Sequence, residues 1–204
     1  YYTAELRVRD QFGLDSIACR NPAVVTIVAQ PDEAIQVQLL WEPASEMDLE
    51  RERAADLDLH LTHPNATGWF SQPYDCFFRN PEPDWGQLDN PQDNPFLDLD
   101  DFSSTGPENL SLATPENTDI LGGDYKVGID YYSNVDRIDG YEYGTVKAFV
   151  RIFINGDLAW DYTDGGDPGF KEMVEMTHFW EVASISWPSG EVTKIDEYYT
   201  ERPE

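Results

Sequence analysis

Asp56-Leu57-Asp58-Leu59-His60-Leu61 alternates acid or imidazole with leucine over six residues. Successive side chains of a β-strand point to opposite faces. Leu57, Leu59 and Leu61 therefore share one face and specify burial, while Asp56, Asp58 and His60 line the other. Acids two residues apart lie with their Cα atoms roughly 6.6 Å apart. Carboxylates brought within a few ångströms repel by about 4 kcal/mol at an effective dielectric near 20. A sequence tolerates such a row on a solvated face or around a bound cation. Calcium takes six to eight oxygens at about 2.3–2.6 Å, which strand carboxylates and neighbouring loops can supply.

The same alternation returns in Leu97-Asp98-Leu99-Asp100-Asp101, followed by Gly106-Pro107-Glu108-Asn109. No Lys or Arg occurs between Asn80 and Tyr125, a window that holds acids from Glu82 to Asp124. An ordinary surface intersperses both signs, so this window reads as oxygen-rich loops around Ca²⁺, with a salt-adapted surface as the competing expectation. The candidate ligands are Asp56, Asp58, Asp98, Asp100, Asp101, Glu108 and Asn109. No EF-hand loop is present.

Strand patterns recur along the chain: Thr3 to Val8, Val24 to Val28, Ile35 to Trp41, Tyr125 to Tyr132, Thr145 to Ile154, Leu158 to Tyr162, Phe179 to Trp187 and Val192 to Ile195. Asn155-Gly156 between two apolar runs predicts a two-residue hairpin turn. Helix signals are confined to Glu46 to Ala55, a short exposed helix or a loop, and to one turn near Phe170 to Glu175. The fold class expected is all-β: an antiparallel β-sandwich, Ig-like or jelly-roll-like, with long acidic loops and at most short helices. Residues 1–30 read as a terminal hairpin or added strand pair, 31–198 as the sandwich, and 199–204 as a flexible tail. Two lone strands cannot bury an apolar face, so donation of the N-terminal pair to another subunit is one expectation and truncation the other. The abrupt opening on Tyr1-Tyr2-Thr3 reads as a segment of a longer exported chain.

The net charge of −27 disfavours nucleic acid and anionic lipid as partners. High charge alone would suggest disorder, but 40% hydrophobic residues, with six Trp, demand a core. No apolar run approaches the roughly 20 residues of a membrane helix. Cys19 and Cys76 form either a disulfide or two buried thiols. Asp58 with His60 and His63 offers zinc ligands by type, but three-residue spacing puts the histidines on opposite strand faces. No P-loop, H-E-x-x-H or G-x-S-x-G motif occurs, so the chain reads as non-catalytic. Trp69 and Trp85, in turn-rich segments, are core anchors or a sugar-stacking platform.

Tyr2 to Asp10, with Phe12-Gly13-Leu14-Asp15-Ser16 and the strand Ala23 to Val28, resembles the last hairpin of a polycystic-kidney-disease-type, Ig-like domain. Over residues 35–190, the motifs Asp56 to Leu61 with His63-Pro64, Asp75-Cys76-Phe77-Phe78-Arg79-Asn80-Pro81-Glu82-Pro83-Asp84-Trp85-Gly86, Asn94 to Asp101, Gly106 to Asn109 and Gly123 to Tyr132 resemble a β-sandwich module of bacterial surface lipoproteins and exported multidomain proteins. That resemblance implies an extracellular or cell-surface location and favours a Cys19–Cys76 bridge. It implies a calcium-stabilised adhesive, binding or surface-assembly role without a reaction, and partners among other surface proteins, copies of the chain itself, or glycans. The alternatives are a carbohydrate-binding module, alone or attached to a hydrolase, and an acidic spacer without a ligand.

Overall fold

A computed structural model describes residues 2–4, 25–27, 32–45, 48, 55–98, 100–101, 106–135, 139–162 and 169–203. It divides into two compact units, residues 1–31 and 32–204. In the first, β1 (Tyr2–Ala4) and β2 (Val25–Ile27) pair antiparallel. Cys19 and most of the hairpin resemblance lie outside the described residues, as does all but Asp48 and Ala55 of the helix expected at Glu46 to Ala55.

The second unit is a β-sandwich of two antiparallel sheets. One contains β3 (Ile35–Pro43), β6 (Pro95–Leu97), β7 (Glu108–Leu112), β9 (Val146–Ile154), β10 (Asp157–Asp161) and β11 (Lys171–Met173). Its spatial order is β10-β9-β3-β7-β6, with β11 also paired to β9. The other contains β4 (Asp56–Thr62), β5 (Asp75–Cys76), β8 (Tyr125–Ser133), β12 (Phe179–Ile185) and β13 (Val192–Tyr199), in the order β13-β12-β8-β4-β5. The chain repeatedly crosses from one sheet to the other, so sequence neighbours face each other across the core.

Period-2 burial builds that core. Ile35, Val37, Leu39 and Trp41 of β3 point inward, with half-buried Gln36 and Gln38 between them. Val146, Ala148, Val150 and Ile152 of β9 do the same, and Leu57, Leu59, Leu61, Val127, Ile129, Trp180 and Val182 meet them from the opposite sheet. Asn155 and Gly156 both take positive φ, 50° and 84°, closing the β9–β10 hairpin with Ile154 opposite Asp157. The mirror-image turn matches the strands' twist.

The structure departs from expectation at several points. Phe170 to Glu175 contains the strand β11 in place of a helical turn, because β9 offers an open edge at Val146 to Ala148. Asp48, inside the helix expected at Glu46 to Ala55, is helical, and a further helix, α1 (Thr118–Leu121), is one turn long, capped by Asn117 and by Gly122 in the left-handed region. Within residues 199–203 of the segment expected as a flexible tail, two residues are held by the sandwich. Tyr199 ends β13, and the Arg202 guanidinium donates to both oxygens of Asp130, with Nε at 2.9 and 3.0 Å. Of the two cysteines considered for a bridge, Cys19 lies outside the described residues, and Cys76 is a free, fully buried thiol that donates to the Pro81 carbonyl. Burial, and then the neighbouring Asp75, push its pKa up.

A second aromatic layer covers the outer face of β4 and β8. Trp69 and Phe179 close over Gly128, where a Cβ would collide with both rings. Gly128→Ala is therefore expected to destabilise the fold by about 2 kcal/mol or more, measurable as a lower urea midpoint. Cys76 is expected to resist thiol reagents in the native protein and to react once unfolded under non-reducing conditions.

Candidate metal centre

β5 pairs only with Leu61 and Thr62 of β4. Among the described residues, no strand pairs with the half of β4 from Asp56 to His60 on that side, and its backbone N–H groups there need partners. Glu108, at the start of β7 in the facing sheet, supplies one: its Oε2 accepts from the Leu59 N–H at 2.8 Å. Its Oε1 accepts from the Asp101 N–H at 3.2 Å. Glu108 is fully buried. The Gly106-Pro107 turn delivers it there, since Gly106 has φ 79° and sits against the Trp41 ring, where a side chain would not fit.

This clip holds the Asp101 backbone and the β4 backbone to one side chain. Among the described residues, Asp56, Asp58 and Asp100 then present one carboxylate oxygen each, all within 4.8 Å of one another. Asp100 is exposed, whereas Asp58 is only 2% exposed and its Oδ2 has no hydrogen-bond partner. Burial pushes the Asp58 carboxyl up to about 10, reinforced by the charges of Glu108, Asp56, Asp130 and Asp100. Burial likewise raises Glu108 to about 9, against the two N–H groups it accepts from.

The other candidate ligands fall elsewhere. Asp98 is exposed, and its N–H donates to the Asn109 carbonyl. Asn109 follows Glu108 along the strand and so points to the opposite face, where its Oδ1 accepts from Gln38. Asp101 contributes its backbone N–H to Glu108. Glu108 itself is a positioning residue, since both its oxygens are engaged by the backbone.

The histidines are engaged too. His63 Nδ1 accepts from the Asn65 N–H, leaving Nε2 to donate to Glu116 at 2.8 Å. His60 donates from Nδ1 to Asp75 at 2.9 Å and is ringed by Trp69, Phe70, Phe77 and Phe179. Neither joins the carboxylate group. Trp69 and Trp85 are buried and form no sugar platform, the Trp85 indole donating to the Pro73 carbonyl.

Asp130, opposite Asp58 on β8, escaped notice in the sequence. Its signal was the outward row of Lys126, Gly128 and Asp130, which pairing with β4 sets beside the acids. No family model matches the chain, and no curated protein or solved structure matches it significantly.

In the cation-free protein, folded Asp58 and Glu108 keep their protons to about pH 10 and about pH 9. Unfolded, both release them near pH 4. The folded state thus binds more protons in between, and its stability falls as pH rises through that window, on the order of 1.4 kcal/mol per pH unit per group. Thermal unfolding in chelator is expected to give a lower Tm near pH 8 than near pH 5. Asp58→Asn, which cannot ionise, is expected to flatten that slope by about half.

Proposed function

We propose that this chain is a calcium-stabilised, non-catalytic β-sandwich module of an exported or cell-surface protein, serving adhesion or surface assembly. The observation that carries the reading is the convergence of Asp56, Asp58 and Asp100, with a buried Asp58 oxygen that lacks a partner. Three carboxylates held this close repel one another, and a proton or a cation must neutralise them. All the donors are hard oxygens, the set that suits calcium or magnesium over softer metals. Oxygens on opposite sides of a calcium ion lie about 4.8 Å apart, twice a Ca–O distance. The cluster fits inside that span, and exposed Asp100 leaves the outer side to water ligands.

The position of the cluster favours a structural role. Asp56 and Asp58 belong to β4, and Asp100 to the connection between β6 and β7 of the facing sheet. An ion there ties the two sheets together at an edge that lacks a strand. Affinities of extracellular calcium modules, around 10⁻⁴–10⁻³ M, suit a site with one exposed ligand. Glycosidase chemistry needs two carboxylates roughly 5–9.5 Å apart flanking a substrate. Asp58 is too deeply buried for that, which supports a non-catalytic reading. The acidic composition disfavours nucleic acid as a partner, and the partners in this reading are other surface proteins.

Calcium binding to the folded state alone adds about 2.7 kcal/mol at a hundredfold excess over Kd. Exhaustive chelation is expected to lower Tm by several degrees, and calcium to restore it better than magnesium. Asp58→Asn and Asp100→Asn are expected to abolish the calcium response, while Glu201→Gln keeps it. Unchanged melting after chelation would sink the proposal.

A further inference from the structure

The outer face of the five-stranded sheet carries a second feature, a cleft of about 400 Å³. Its walls are aromatic: Phe70, Phe77, Phe78 and Tyr132. Its polar groups are Gln72, Arg79, Asp130 and Arg202. Ligand sites combine apolar walls with a few convergent polar groups in this manner, at about 300–1,000 Å³.

The charges in the cleft are unequal in kind. Asp130 is fully buried and held bidentate by Arg202, so that pair is neutral as a unit. Arg79 is exposed, lies 5.0 Å over the Phe78 ring, and forms no ion pair among the described residues. Arg79, Arg202 and Asp130 together give the cleft lining one net positive charge, in a chain whose net charge is −27. An exposed guanidinium beside stacking rings is suited to a planar carboxylate. Phe70 sustains the wall: its φ of 59° is unusual for a non-glycine residue, and its N–H is held by buried Asp75 at 2.6 Å.

We propose that this cleft binds a carboxylate-bearing sugar, a uronic acid residue, with its ring against Phe78 and Tyr132 and its carboxylate on Arg79. A sugar hydroxyl finds the Gln72 amide. A neutral sugar gives Arg79 no counter-ion, and an apolar acid gives the Gln72 amide no hydroxyl partner. Exposed charges farther off than about 8 Å are screened at physiological salt, which leaves Arg79 as the nearest exposed cation for the carboxylate. The site shares no residue with the Asp56, Asp58 and Asp100 cluster, and holding calcium in excess during the test keeps that cluster in one state.

The test is calorimetric titration of the full chain, in excess calcium, with methyl glucuronoside and methyl glucoside. The glucuronoside is expected to bind saturably with a Kd of about 1 mM, and the glucoside about tenfold more weakly. Arg79→Gln removes an exposed side chain and is expected to leave thermal unfolding unchanged. It should weaken the glucuronoside about tenfold and leave the glucoside unaffected. Phe78→Ala is expected to weaken both sugars. Absence of saturable glucuronoside binding, equal affinity for the two sugars, or indifference to Arg79→Gln would overturn the proposal.

Discussion

A carboxylate taken out of water must lose its charge or be given a partner, and Asp58 is buried with one oxygen, Oδ2, that has no hydrogen-bond partner among the described residues. The architecture around β4 is organised by that constraint. The strand needs its leucine face for the core, and alternation then commits Asp56, Asp58 and His60 to the other side. Because a second layer of residues covers that side, these groups cannot rely on solvent. His60 and the neighbouring Asp130 are each met by a group from another part of the chain.

The settlements differ in kind. His60 is matched by Asp75, an imidazole with a carboxylate inside a cage of aromatic rings. Asp130, directly across from Asp58, is matched by Arg202 from the C-terminal end of the sandwich. Asp58 receives neither cation, only further acids: Asp56 beside it and Asp100 from the β6–β7 connection. In a chain able to assign a guanidinium to the adjacent position, this accumulation of like charge is the feature a divalent cation reverses. Glu108 makes the arrangement durable by clipping the connection to the open edge of β4 through two backbone N–H groups.

The aromatic layer has a double consequence. Trp69, Phe77 and Phe179 pack around His60, the third member of the polar row of β4. Phe70, Phe78 and Tyr132, at the margin of that layer, stay partly open and form the walls of the cleft. Trp85, which by composition looked available for stacking, is turned inward by its hydrogen bond to Pro73. Exposed contact with a ligand falls to less conspicuous residues, Arg79 above all.

Local periodicity and turn chemistry were legible in the sequence because they depend on residues within a few positions of one another. The leucine face of β4, the inward row of β3, the Asn155-Gly156 hairpin and the pairing of Asp56 with Asp58 on one face are of this type. Asp100 was visible as an acid in a similar pattern, but not as the group that meets Asp58, since that contact joins different sheets. The tertiary structure alone decided that Glu108 is a clip while Asn109 faces away, that the acid face of β4 is covered, and that Arg202 reaches Asp130. Burial of a strand's second face depends on what the rest of the chain lays across it. A two-residue period identifies the face but carries no information about its cover.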